Sequence, residues 1–215
     1  RVIGAQTGRT LDRVPESYRQ AKGFHLGVHP DEPDLDFIHQ LRHLPMHSGG
    51  RPGGGPVVSL EPFKPADQPL SDAALGQLCS AADIFSTNVA EAQSLVGSGS
   101  PDELVRRLAE TGTSIVALRM GPEGSLVYAG PGATRLSSAS HLVHVPAVPT
   151  TVVDSTGAGN AYCGGFLAGY VQTGDVLTAA SYGAVAASFL VEQVGLPEIN
   201  ERLRTQARLR LQLLQ

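Results

Sequence analysis

Apolar positions in this chain follow two periods that alternate along its length. Residues 23–28 read as a short buried strand ended by Pro30, whereas 34–44 place apolar side chains at 35, 37, 38, 41 and 44, the stripe of a helix. The alternation repeats downstream, with a strand at 56–60, a helix at 71–80 capped by Ser71, and a strand at 83–86 running through Thr87 and Asn88 into a helix at 89–96. Ser100 followed by Pro101 predicts the start of a helix over 101–110. The hydroxyl can accept from orphan amides, and proline already has the φ of a first turn. Residues 114–118 and 125–128 read as strands around the turn Gly121-Pro122-Glu123-Gly124, with a further strand near 142–145. From Gly157 the period is helical, over 160–171, 176–191 and from 197 to the end, and a weaker helix is expected around 17–21.

Strands alternating with helices predict an α/β fold, a largely parallel sheet covered on both faces. The two neighbouring strands after Ser114 suggest an antiparallel addition at one edge. At 215 residues the chain fits one domain able to bury a substantial core. Residues 48–56 (Ser-Gly-Gly-Arg-Pro-Gly-Gly-Gly-Pro) can hold neither helix nor strand, and no Lys-Ser/Thr follows to make a phosphate loop of them, so a surface loop is expected.

Charge excludes some partners. The net charge is −4 and no basic run is dense enough for a nucleic-acid track; the stretch from Arg202 to Arg210 alternates with leucines like an amphipathic terminal helix. No apolar run approaches the ~20 residues needed to cross a bilayer. Cys79 and Cys163 stand far apart among small or apolar neighbours, as buried thiols of a reducing compartment would, and a cytoplasmic location is expected. The start at Arg1-Val-Ile-Gly resembles a cut end, so a piece lacking its N-terminal part is expected. His39, His43 and His47 recur at four-residue intervals, but Pro45 breaks the helix that would align them and no acid or thiol stands at a matching offset. They read as surface histidines.

Candidate chemistry concentrates in Val152-Val153-Asp154-Ser155-Thr156-Gly157-Ala158-Gly159-Asn160-Ala161, where a β-branched run enters a glycine turn and a helix leaves it. Glycines let the backbone turn tightly and approach a ligand, and amides at a helix N-terminus favour an anion. Taken alone, the pattern suits an ordinary tight turn equally well. A dinucleotide-binding unit is disfavoured, because its glycine loop follows the first strand and ends in a third glycine, whereas here Tyr162 holds that place late in the chain.

The segment Asp154-Ser-Thr-Gly-Ala-Gly-Asn-Ala-Tyr-Cys-Gly-Gly-Phe166 resembles the C-terminal signature D-[ST]-T-G-A-G-D-x-F-x-x-G-F of the ribokinase-like, or PfkB-type, carbohydrate kinases. Two upstream stretches match in the same order: Asn88-Val-Ala-Glu91 resembles the family's N-x-x-E element, and Met120-Gly-Pro-Glu-Gly124 its T-x-G-x-x-G nucleotide turn. The GAGN spelling and Val58-Ser-Leu-Glu61-Pro62 also look like the branch containing fungal maintenance-of-killer proteins. The resemblance implies a ribokinase-like three-layer α/β/α fold in a single domain, with the anion-hole turn and nucleotide helices within 152–195. Family members usually carry about a hundred further residues, mostly on the N-terminal side where the sugar pocket and lid lie.

The resemblance also implies ATP and Mg2+ as cofactors, with a monovalent cation beside them, and a sugar or nucleoside-like alcohol as substrate. The amides of Gly157, Ala158 and Gly159 would form an anion hole for the transferred phosphoryl group. Asn88 and Glu91 would order the Mg2+-bound phosphates, Glu91 through water; the pair equally suits an N-cap with an acid in the first helical turn. Gly121 and Gly124 would border the nucleotide, and Gly183, Ala184 and Ala187 would leave room for adenine, although small residues also serve helix packing. Asp154 would organise a cation or phosphate site, or else accept a hydrogen bond within its own turn. At position 160 the family's catalytic base is aspartate. Asn160 can orient a hydroxyl but cannot take its proton at neutral pH, and the general base it replaces contributes roughly 10²–10⁴-fold, or about 3–5 kcal/mol of barrier. A phosphotransferase is therefore expected, or a catalytically weakened relative that binds nucleotide or metabolite in a regulatory or assembly role.

Overall fold

The computed structural model describes residues 10–45, 54–133 and 140–214. Residues 48–53 of the Gly/Pro-rich stretch, and His47, lie outside them. Strands β1 (Gly23–Val28), β2 (Val57–Pro62), β3 (Ile84–Asn88) and β4 (Ile115–Arg119) pair in parallel; β5 (Ser125–Ala129) and β6 (His141–Val145) add antiparallel beyond β4. The order is sequential from β1 to β6.

That order decides where the helices go. Parallel crossovers are right-handed, so a sheet that always grows in one direction collects its crossover helices on one face. The short α1 (Glu16–Arg19) precedes the sheet, and α2 (Leu35–Arg42), α3 (Asp72–Ser80), α4 (Val89–Val96) and α5 (Pro101–Ala109) make the crossovers. Their apolar stripes meet Val58, Leu60, Phe85, Val116 and Leu118 in one core. The opposite face carries Val57, Ile84, Ile115, Ala117 and Val127, covered by α6 (Ala158–Thr173) and α7 (Val176–Val191) in a second core. Alternating strand residues supply the two cores, as a two-residue period requires. The result is the three-layer α/β/α arrangement with one mixed edge.

Local signals account for most helix starts. Ser71 and Asp34 cap α3 and α2, and Ser100 with Glu103 closes a reciprocal capping box at α5. Two helix starts differ from expectation by two or more residues. Helix α6 begins at Ala158 because Gly157 itself is its N-cap. Helix α8 (Glu201–Leu214) starts four residues after Pro197, where Asn200 Oδ1 accepts from Leu203 N at 3.0 Å. Leu203, Ala207, Leu211 and Leu214 turn α8 onto the second core, and Arg210 lies over the Phe189 ring and pairs with Glu192. The α6–α7 contact is close: a Cβ on Gly165 would fall 2.6 Å from Tyr182 O, and one on Gly183 2.9 Å from the Tyr162 ring.

Candidate active site

On the α6 face, polarity rises toward the C-terminal ends of the parallel strands. In β2 the side chains on that face run Val57, Ser59, Glu61; in β3, Ile84, Ser86, Asn88; in β4, Ile115, Ala117, Arg119. Ligands of open α/β sheets gather beyond the C-terminal strand ends, and the N-terminus of α6 stands over this polar end. Cys163, in the second turn of α6, lies 3.4 Å from Glu61 Oε2.

The turn entering α6 is built by two local devices. Asp154 Oδ1 accepts from Thr156 N at 2.9 Å, and that backbone hydrogen bond, then the Thr156 hydroxyl, holds its carboxyl below the usual range. Asp154 thus acts within its own turn. Gly157 has φ +81°, a left-handed conformation that a Cβ would strain. Asn160 follows in the first turn of α6 with its side chain exposed. The sixteen-residue helix behind the turn places a positive dipole end at these amides.

Beneath the turn lies a buried charge cluster. Arg119 Nη1 donates to Glu61 Oε2 and, at 3.1 Å, to Cys163 Sγ; Nη2 donates to Glu91 Oε2 at 3.2 Å. A Cβ on Gly159 would come within 2.8 Å of Arg119 Nη1, so the guanidinium abuts the backbone of the turn. His25 extends the cluster, with Nε2 3.1 Å from Glu61 Oε1 and Nδ1 3.1 Å from Ser59 Oγ. Side-chain exposures of 7% for Glu61, 10% for Glu91 and 11% for Arg119 leave the three charges to balance one another. Desolvation pushes the Glu61 carboxyl up, yet the His25 hydrogen bond and the charge and hydrogen bond of Arg119 outweigh it and bring it down to about 2. The Cys163 thiol goes the other way, pushed up to about 12, chiefly by burial.

Asn88 and Glu91 adopt the capping arrangement in full. Asn88 Oδ1 accepts from Glu91 N, and Asn88 N donates to Glu91 Oε2, both at 2.9 Å. The Thr87 hydroxyl donates to the same Oε2 at 3.3 Å. One Glu91 oxygen therefore serves three protein donors, and both oxygens of Glu61 are engaged. This donor set does not fit a divalent ion bound directly to the two carboxylates, because a guanidinium already stands between them. Two groups of three metal-ligand types occur among the described residues. In His25/Glu61/Cys163 the Arg119 guanidinium contacts two of the three, and in His29/Asp31/Asp67 the Lys64 ammonium sits 2.6 Å from Asp67.

The other expected site residues fall in two places. Gly121 and Gly124 form the turn between β4 and β5, closed by Met120 N donating to Gly124 O at 2.8 Å. Gly124, at φ +91°, passes so near the chain after β6 that a Cβ would meet Val145 O at 2.1 Å. Gly183, Ala184 and Ala187 lie on α7, with Gly183 against Tyr162 and both alanines packed into the second core. His39 and His43 are exposed, and His43 Nδ1 is 2.7 Å from His39 O. Arg119, Glu61 and His25 are the residues that motif reading passed over. One signal pointed to Arg119: counting back two from Gly121, it stands where the T-x-G-x-x-G pattern has threonine, a charged residue closing an apolar strand.

Among the described residues no helix is long and apolar enough to cross a membrane. A family model for the pfkB family carbohydrate kinases matches residues 57–202. The chain is 30% identical over 157 residues to the cytidine kinase of Thermococcus kodakarensis, covering 73% of this chain and 50% of the relative. It is also 30% identical over 208 residues to an uncharacterised protein of Schizosaccharomyces pombe, covering 88% and 56%. It thus spans about half the length of the curated relatives it matches. Aminoimidazole riboside kinase from Salmonella enterica, solved with aminoimidazole riboside and an ATP analogue, superposes with a TM-score of 0.64 at 20% identity over 90% of this chain and 63% of that one. The Methanocaldococcus jannaschii nucleoside kinase gives 0.59 at 23% identity over 90% and 56%. These two show the ribokinase-like fold, and with the matched family model and the ordered glycine turn they lead to one placement: this chain belongs to the pfkB family of carbohydrate kinases.

Proposed function

We propose that this chain forms the nucleotide-handling part of an ATP-dependent phosphotransferase acting on an alcohol group of a sugar or nucleoside-like molecule. The observation that carries the reading is the meeting of the Gly157–Gly159 turn with the strand-end charges: one guanidinium separates the turn from the Glu91 carboxylate. In this reading the amides of Gly157, Ala158 and Gly159 receive the charge developing on the transferred phosphoryl group. Gly121 and Gly124 border the nucleotide, and Gly183, Ala184 and Ala187 keep α7 slim beside the base. Asn88 and Glu91 keep the rim of the phosphate site rigid through their capping box. A divalent ion travelling on the nucleotide would reach Glu91 only through water, and Asp154 would meet a monovalent cation only with the oxygen not given to Thr156 N. The nucleoside acceptor class is supported by relatives described as cytidine and nucleoside kinases.

Asn160, exposed at the head of α6, would orient the acceptor hydroxyl without removing its proton. A second reading follows from that residue: a family member that binds nucleotide or metabolite and turns over slowly. Steady-state assay of Asn160→Asp with ATP over a panel of sugars and nucleosides separates them. A gain of roughly 10²-fold or more is expected; no gain with any acceptor removes the proposed role of position 160. Calorimetry on the full-length protein showing nucleotide binding without turnover selects the second reading.

A further inference from the structure

We propose that Arg210, on the terminal helix α8, is a positioning residue for the glycine turn, acting through Glu192. It fixes the last turn of α7, and that turn supports the segment 150–157 in the conformation that presents the Gly157–Gly159 amides. The inference rests on the phosphate-site reading above and adds the residues that hold its turn in place. Four residues of the segment rest on three consecutive residues at the end of α7. Val191 O accepts from Val153 N at 2.7 Å and from Asp154 N at 3.2 Å. The Thr150 hydroxyl donates to Glu192 Oε1. Leu190 Cδ2 lies 3.2 Å from where a Cβ on Gly157 would stand.

Those three residues close a helix, where the last carbonyls lack intrahelical donors and the end frays. An acid at that end also opposes the helix dipole. Arg210 answers both difficulties. Its Nη2 donates to the two Glu192 oxygens at 2.7 and 2.9 Å, and its Nη1 donates to Ser188 Oγ at 2.7 Å. The guanidinium carbon lies 4.0 Å from the centre of the Phe189 ring. One planar cation thus grips residues 188, 189 and 192, a single turn of α7, and brings a positive charge to the helix's negative end. With that turn held, the orphan carbonyl of Val191 is aimed at the amides of Val153 and Asp154, and the Glu192 carboxylate at Thr150. The support reaches the glycine turn from a helix that carries none of its motif residues.

The test follows hydrogen exchange and ATP binding in the full-length protein. In Arg210→Met, which keeps a stem over Phe189 and removes the donors, amides of residues 153–159 should exchange about tenfold faster while those of α5 are unchanged. The affinity for ATP with Mg2+, read by calorimetry, should fall about tenfold as well. Thr150→Val leaves the grip of Arg210 intact and removes only the hydroxyl on Glu192. It should weaken ATP binding severalfold without lowering the melting temperature by more than about 2 °C, and Thr150→Ser should restore the affinity. The double variant should lose no more than Arg210→Met alone, since both changes act through one carboxylate. A merely structural role predicts losses that track the melting temperature and add. Unchanged exchange at 153–159 in either variant, or ATP affinity that holds while exchange quickens, overturns the positioning role and leaves the phosphate site standing. Should Arg210→Met not fold, Thr150→Val and Thr150→Ser decide alone. A native protein that binds no ATP overturns the phosphate-site reading, and the inference with it.

Discussion

Replacing Arg119 by methionine keeps most of the side chain's volume and removes its charge from between Glu61 and Glu91. In the native protein the Glu61 carboxyl lies at about 2, against an ordinary 4.5. A depressed carboxylate adds stability above its unfolded pKa, and that stability is lost as pH falls from 4.5 through about 2. Without the guanidinium, burial is opposed at Glu61 only by His25, so its carboxyl moves upward and the variant carries a less compensated buried charge at neutral pH that protonation relieves. Breaking a buried ion pair by deleting one partner costs about 3–5 kcal/mol; the Glu61 shift alone, discounted for partial solvent screening, accounts for about 2–3 kcal/mol of it. His25, Glu91 and Cys163 face the same space. Urea unfolding at pH 7.5 and pH 5 should therefore show a loss of about 3–5 kcal/mol at the higher pH that shrinks by a third or more at the lower. A loss below about 1 kcal/mol, or one equal at both pH values, refutes the claim that Arg119 holds two buried charges in balance.

Gly157→Ala forces a Cβ into a left-handed backbone and toward Leu190, 3.2 Å away. It should cost about 1–2 kcal/mol in a thermal melt and weaken nucleotide binding beyond that of a Gly164→Ala control, whose Cβ would meet nothing within 4 Å. Both thiols are buried and pushed toward the protonated form by desolvation, Cys163 to about 12 and Cys79 upward. Neither should react with a maleimide at pH 7 in the native protein, while both react in denaturant, and mass spectrometry counts the adducts.

Much of the molecule is written locally. Caps at Asp34, Ser71, Asn88 and Ser100 act over three residues, so their helices could be placed from neighbours alone. The strands announced themselves by apolar runs, and the mixed edge by two strands too close in sequence for a crossover. The Asp154–Asn160 turn was legible for the same reason: its conformation is set by its own glycines and its own aspartate. What the chain could not disclose locally is who meets whom at the strand ends. Arg119 lies 58 residues from Glu61, 28 from Glu91 and 44 from Cys163, and only the parallel register of β2, β3 and β4, with α6 laid across them, brings the four together. Glu61 in sequence is one acid after an apolar strand, and Gly183 is one small residue in a helix. The fold turns the first into half of a buried ion pair and the second into the seat of the Tyr162 ring. Secondary structure and the glycine turn came from short-range preferences, whereas the buried charge cluster beneath that turn came from tertiary packing, because electrostatic balance in a buried place depends on distance in space and not along the chain.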